Sequence, residues 1–187
     1  MLKKPIIPIS FLNSQTIEKS VSGRSADIDI TTQFNSLSFD MPEFAIVLFQ
    51  TDRSNNQLKD SSFFDHCKVR NIFFRNGRNE TFPNEAWNLD IDNHKYLKMY
   101  DAYTVIKRVI LKNTDMILSP KEFFSTRPMY VINTSNRRET IVKNKTNIKV
   151  SIDFSTAVPS NTLFYVMLSG GKKLNYDIVH EKITEVF

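Results

Sequence analysis

The stretch Phe44–Phe74, FAIVLFQTDRSNNQLKDSSFFDHCKVRNIFF, decides the fold. Two apolar runs, Phe44–Phe49 and Val69–Phe74, flank a polar middle. Short runs rich in Phe, Ile and Val read as strands covered on both faces, because such side chains pack well on a pleated surface. The pattern predicts two neighbouring strands of a buried sheet with a long connection between them. That connection holds Gln50, Thr51, Asp52 and Arg53, then Phe64, Asp65, His66 and Cys67. These side chains either do chemistry or tie the loop down.

Working outward, most of the chain reads as β. Ala26–Phe34 alternates apolar Ile28 and Ile30 with polar Asp27, Asp29 and Thr31, the mark of a half-buried strand. Cys67–Asn76 is read as one strand, ended by the tight-turn pair Asn76-Gly77, with Arg78–Phe82 pairing back as the second arm of a hairpin. Trp87–Ile91, Pro128–Thr134, Asn147–Phe154 and Thr162–Leu168 follow as strands, with a turn at Val158–Asn161. Gly170-Gly171 is read as a hairpin turn into Lys172–Val179, and Ile183–Phe187 as a last short strand.

Two helices interrupt this pattern. His94–Lys112 places Tyr96, Met99, Tyr100, Tyr103, Ile106 and Ile110 on one stripe, with Asp92 or Asn93 as cap and Lys107, Arg108 and Lys112 at the end that the helix dipole favours. A shorter helix over residues 119–125 starts with Ser119 as cap and Pro120 at the first helical position. The first 25 residues contain two helix-breaking prolines and read as an extended arm, with a turn-rich link around Gly23 and a single domain over 26–187. The expected fold is an all-β, antiparallel two-sheet sandwich of about eight strands with one inserted helix.

Composition fits that class. The 187 residues are 41% hydrophobic and 24% charged, with fifteen Phe and only four Gly. The net charge of +5 is mild. Its densest run is Arg137, Arg138, Lys143, Lys145 and Lys149, a solvated face that offers a weak contact for nucleic acid but carries no interleaved aromatic platform. Cys67 is the only cysteine, so no internal disulfide forms. The start lacks a signal-peptide pattern, which points to a reducing compartment and leaves the sequons at Asn79, Asn133 and Asn144 without meaning. No apolar run reaches the ~20 residues that span a bilayer.

Little in the chain carries chemistry. His66, His94 and His180 stand far apart and in no metal-ligand spacing. On a strand, His66 and Cys67 point to opposite faces and do not converge on one metal or substrate. The scattered aspartates match no calcium loop or glycosidase pair, and four glycines make no phosphate loop. No cofactor and no enzymatic activity are expected. The better reading of Gln50, Asp52, Arg53, Asp65 and His66 is a polar clamp, since charge at the end of a buried strand persists only when paired.

Four blocks then carry a resemblance: Phe49–Phe74 with QTDR and FDHC, Trp87–Tyr103 (WNLDIDNHKYLKMYDAY), Pro128–Glu139 (PMYVINTSNRRE) and Ile148–Asp177. Their order and spacing resemble the C-terminal jelly roll of double jelly-roll major capsid proteins of Polinton-like (Maverick, adintovirus-like) elements. The resemblance runs from Lys4 to the C-terminus. It implies a jelly roll that works by assembly into a shell, in a virion or in host cytoplasm or nucleus, with no catalysis. The sequence opens just before the second roll of that family. The resemblance therefore implies assembly with copies of itself or with a separate partner roll. Ile6, Ile7, Ile9, Phe11 and Leu12 of the arm, and Tyr96, Met99 and Tyr103 of the helix, are the expected contacts. Two other readings stand beside it: a capsid-derived host protein with a non-virion binding role, and a carbohydrate- or nucleic-acid-binding sandwich.

Overall fold

A computed structural model describes residues 6–30, 42–54, 56–75, 80–110, 118–134 and 148–185. The elements run in the order β1 (Ile6–Ile30), β2 (Phe44–Thr51), β3 (Val69–Arg75), β4 (Thr81–Phe82), α1 (Leu97–Val105), α2 (Pro120–Thr126), β5 (Tyr130–Asn133), β6 (Ile148–Asp177) and β7 (Lys182–Glu185). A π-helical turn, Ile106–Ile110, continues α1. All the strand pairings described are antiparallel, in the order β4-β3-β6-β2-β5, with β1 and β7 also paired to β6.

The two long strands organise everything else. β6 pairs with β3 from Lys149 to Phe154, then with β2 from Thr162 to Ser169. Between these stretches lies a corner. β1 follows β6 past it with register shifts on either side of Gly23, from Val21↔Thr162 to Gly23↔Val158 and then Ser25↔Asp153. Gly23 has φ +85, a left-handed conformation that costs glycine little. Folding at the corner brings the two halves face to face. Phe49 of β2 meets Phe154 of the β3-side half at 5.7 Å between ring centroids, Phe164 at 5.8 Å and Tyr130 of β5 at 5.8 Å. Both halves contribute to one continuous core, with Ile72, Phe74, Val150 and Ile152 from one and Val47, Phe49, Val166 and Leu168 from the other. This is the antiparallel sandwich that the sequence pattern predicts and the jelly roll that the resemblance implies.

β2 is apolar from Phe44 to Phe49 because it is covered twice. Ala45, Val47 and Phe49 face the inter-sheet core. Phe44 and Ile46 alternate to the outer face, where they pack with Val131 of β5 and with Ile106 and Ala102 of the helical insertion. Each fully buried Phe or Ile side chain contributes about 1.5–3 kcal/mol.

Several expectations need correcting. β2 and β3 do not pair with each other: each pairs with a different stretch of β6, on either side of the corner. Gly170-Gly171 does not turn: β6 continues through it opposite Asn13 and Leu12, and the chain reverses after Asp177. Gly171 serves a close approach instead. A Cβ there would lie 3.0 Å from the Glu43 carboxylate, whose Oε1 accepts a hydrogen bond from the Gly171 N–H at 3.2 Å. The turn expected at Val158–Asn161 is the irregular corner inside β6.

Residue 25, read as the edge of a separate arm, lies inside β1, and residues 6–21 pair with 162–177 without a break. Trp87–Ile91 forms no strand, only an isolated bridge between Asp90 and Lys95. The first helix starts at Leu97 rather than His94, with Tyr96 at the cap position and no side-chain cap bond. Asn93 instead donates to the Asp90 carboxylate at 2.7 Å. The second helix matches its expectation: Ser119 caps Pro120–Thr126, its hydroxyl accepting from the Glu122 N–H at 3.3 Å. The Asn76-Gly77 turn, the strand beyond Ile30, and Arg137, Arg138, Lys143 and Lys145 lie outside the described residues.

Candidate functional site

The polar middle of the opening stretch folds over the corner of the sandwich. Arg53, with a side chain only 12% exposed, donates Nη2 to Asp65 Oδ1 at 2.6 Å and Nε to Oδ2 at 3.3 Å. This two-point geometry is what a guanidinium offers a carboxylate. Nη1 of the same residue donates to the Asp60 carbonyl at 2.8 Å. Asp65 Oδ2 also accepts from the Thr51 N–H at 2.7 Å, and the Asp65 N–H donates to the Phe49 carbonyl at 2.8 Å. The Gln50 amide donates to the Ser61 and Phe63 carbonyls at 2.7 and 3.1 Å. Gln50, Arg53 and Asp65 thus knit the connection to the end of β2.

Asp52 stands apart from that group. It is exposed, pairs with Lys59 at 3.2 Å, and accepts from the Asn56 amide. The Lys59 ammonium holds its carboxyl below the usual value. At the surface such a pair adds little.

His66 and Cys67 do not sit on a strand. β3 begins at Val69, and Cys67 and Lys68 both have positive φ, 46 and 48. The alternation expected to separate the two side chains is therefore absent, and both line one cavity of about 530 Å³ at the corner, with Thr51, Phe64, Phe124 and Pro159 among its other walls. His66 stacks on Phe124 of α2 at 4.8 Å, and Phe124 stacks on Tyr96 at 4.4 Å. His66 Nδ1 accepts from the Lys68 N–H at 3.1 Å, and the His66 carbonyl accepts from the buried Tyr130 hydroxyl at 2.5 Å.

The electrostatics of this cavity oppose nucleophilic chemistry. Burial pushes the Cys67 thiol up to about 11, against a weak lowering by the Thr51 hydroxyl. A thiol held there is protonated at neutral pH and is a poor nucleophile. Burial also lowers the His66 imidazole below its ordinary value, with Asp65 and Asp92 opposing and Lys68 reinforcing. Among the described residues, no group of three or more His, Cys, Asp or Glu side chains could hold a metal ion.

The expected contact residues divide into two sets. Ile6, Ile7, Ile9, Phe11 and Leu12 are all exposed, from 42% to 51%. They form one edge of a three-stranded ribbon in which the end of β6 runs between β1 and β7. Ile178, Val179 and Ile183 add exposed apolar surface at the ribbon's tip. The helix set is different. Met99 and Tyr103 are buried at 0% and 5%, and Tyr96 packs partly buried beside them. Tyr103 stacks on Phe123 at 4.6 Å. The helical stripe therefore covers the chain's own core, and Met99 and Tyr103 are withdrawn as contacts. The outward apolar residues of α1 are Leu97 and Val105. Of the basic run, Lys149 is described, and it pairs with Asp27 at 3.1 Å.

Fold and site together define a jelly-roll domain with an ion-paired loop at one corner and an exposed apolar ribbon at one end. The chain belongs to the Double jelly roll-like domain family, whose model matches residues 5–172. A solved structure of the Sputnik virophage is similar over 96% of this chain, at 12% identity and a TM-score of 0.48. The chain spans 38% of the length of that virophage chain. No curated protein matches the sequence. No described helix is long and apolar enough to cross a membrane.

Proposed function

We propose that this protein is a capsid-type structural subunit that works by assembly, with the ribbon β1–β6–β7 as its contact surface. The reading rests on one observation: in a member of the Double jelly roll-like family, five large apolar side chains at one end of β1 stay exposed although their backbone is paired. An apolar surface of this kind marks an interaction site on a soluble domain. β1 carries no charged side chain from Ile6 to Ile17, so it lacks the lysines that usually blunt an edge strand. The four sequence blocks that resemble the second roll of Polinton-like major capsid proteins favour that lineage. The partner is a further copy of the chain or a separate jelly roll, and the location is the virion or the host cell. No catalytic role is assigned: the half-buried Cys67 thiol is held protonated, and the corner's most buried charges satisfy each other.

Size-exclusion chromatography with light scattering, followed by electron microscopy, tests this proposal. Trimers, hexameric rings or closed shells support it. A stable monomer across the micromolar range, alone and with a co-expressed jelly-roll partner, contradicts it.

A further inference from the structure

The turn at residues 65–68 holds more of the corner together than its length suggests. The Asp65 N–H donates to the Phe49 carbonyl at the end of β2, and the Lys68 carbonyl accepts from the Ser155 N–H at the corner of β6, both at 2.8 Å. Between these ties, Cys67 and Lys68 take consecutive left-handed conformations, which side-chain-bearing residues rarely adopt. Besides the Val69 N–H donated to the His66 carbonyl at 3.2 Å, the contact that closes this strained pair is the Lys68 N–H donated to His66 Nδ1 at 3.1 Å. It requires an unprotonated Nδ1, so the neutral ring carries its proton on Nε2.

We propose that this turn is a pH-controlled latch at the rim of the corner cavity, closed while His66 is neutral and released when its imidazole takes a second proton. Protonation puts an N–H on Nδ1 facing the N–H of Lys68. The acceptor is lost and two donors oppose each other. The left-handed pair then keeps the bond from the Val69 N–H to the His66 carbonyl but loses the side-chain bond that helps offset its conformational cost, and the ties to β2 and β6 loosen with it.

The surroundings set the direction. The charged groups near the ring are Asp65, bound to Arg53, and Lys68, bound to Asp92. α2 contributes the uncharged Phe124 and Ser125 to the cavity, and the β6 corner contributes Thr156 to Pro159. β5 contributes Tyr130, whose hydroxyl donates to the His66 carbonyl and whose burial keeps it protonated. Cys67 is protonated as well. Burial dominates and holds the folded imidazole below its unfolded value of 6.5. The unfolded chain therefore binds the proton more readily. The His66 contribution to stability is fully present above about pH 6.5 and is lost as pH falls through the lowered folded value.

The test is amide hydrogen exchange by NMR on the full chain at pH 7.5 and at the acidic pH where imidazole nitrogen shifts show His66 doubly protonated, corrected for intrinsic exchange rates. Losing one hydrogen bond of about 1 kcal/mol lowers protection of the Lys68 amide, and of Ser155 with it, by about fivefold. His66→Asn is the matched control: its side-chain oxygen accepts from the same N–H two residues on, and it does not titrate. This variant keeps the Lys68 protection at both pH values. Undiminished protection in the wild type once His66 is doubly protonated overturns the proposal, and so does an equal loss in His66→Asn. A second readout uses the wild type alone and does not depend on how the variant folds. Imidazole nitrogen shifts at pH 7.5 show Nε2–H if the latch exists, and Nδ1–H sinks it.

Discussion

β1 and β6 pass through two environments that differ in everything but their backbone pairing. In the sandwich, Val166 and Leu168 of β6 are buried in the core between the sheets. A few residues further along the same pair of strands, Ile6, Ile7, Ile9, Phe11 and Leu12 are exposed on both faces of the ribbon. The hydrogen-bond ladder continues, but burial stops. Main-chain pairing alone extends a strand well past the core, whereas side-chain burial decides where stability resides. In the sandwich the apolar side chains stabilise the fold. On the ribbon they add apolar surface facing water, which favours covering it with another molecule.

Substitutions in the two regions should therefore separate stability from assembly. Phe49→Ala removes the ring that touches Phe154, Phe164 and Tyr130. It should cost about 3–5 kcal/mol, read as a large drop in the urea midpoint. Arg53→Met leaves the Asp65 carboxylate without its two-point partner. The loss should be about 2 kcal/mol, less than for a fully buried pair because Asp65 is partly exposed, and it should appear as a lower Tm at pH 7. Ser119→Ala removes the α2 cap for about 1 kcal/mol in the same melt. Phe11→Ser on the ribbon should change Tm least, by about 0.5 kcal/mol or less, while shifting the mass distribution toward monomer. A ribbon variant that unfolds the domain as Phe49→Ala does would erase the contrast.

What could be read from the sequence follows the same division. Where local pattern and burial agree, the reading held. β2 showed its double covering as an unbroken apolar run, and α2 showed its start in Ser119-Pro120. Readings failed where distant partners decide the conformation. β1 is a strand across Pro8 and across residue 25 because β6 lies beside it, a fact carried by residues well over 100 positions away. Gly170-Gly171 has turn chemistry, but Glu43 and the opposite strand use the missing side chains for close approach.

The corner was half legible. Residue type suggested a polar clamp of Gln50, Asp52, Arg53, Asp65 and His66 without saying which of them pair; Arg53 and Asp65 do. Asp52 bonds to Lys59 instead. The His66–Cys67 geometry was hidden because two left-handed residues replace the expected strand, and no sequence signal marks left-handed Cys and Lys. The helical stripe predicted an apolar face correctly, yet periodicity does not say whether that face covers the chain's own core or a partner. Here Met99 and Tyr103 cover the core.

The most direct measurement of the assembly claim is light scattering on wild type and on the double variant Ile7→Lys/Phe11→Lys, with Tm recorded for both. These residues are exposed and lie away from the core, so the lysines should leave Tm within a few degrees while the oligomer falls to monomer. An oligomer of unchanged mass in the charged variant would contradict the ribbon as the contact surface.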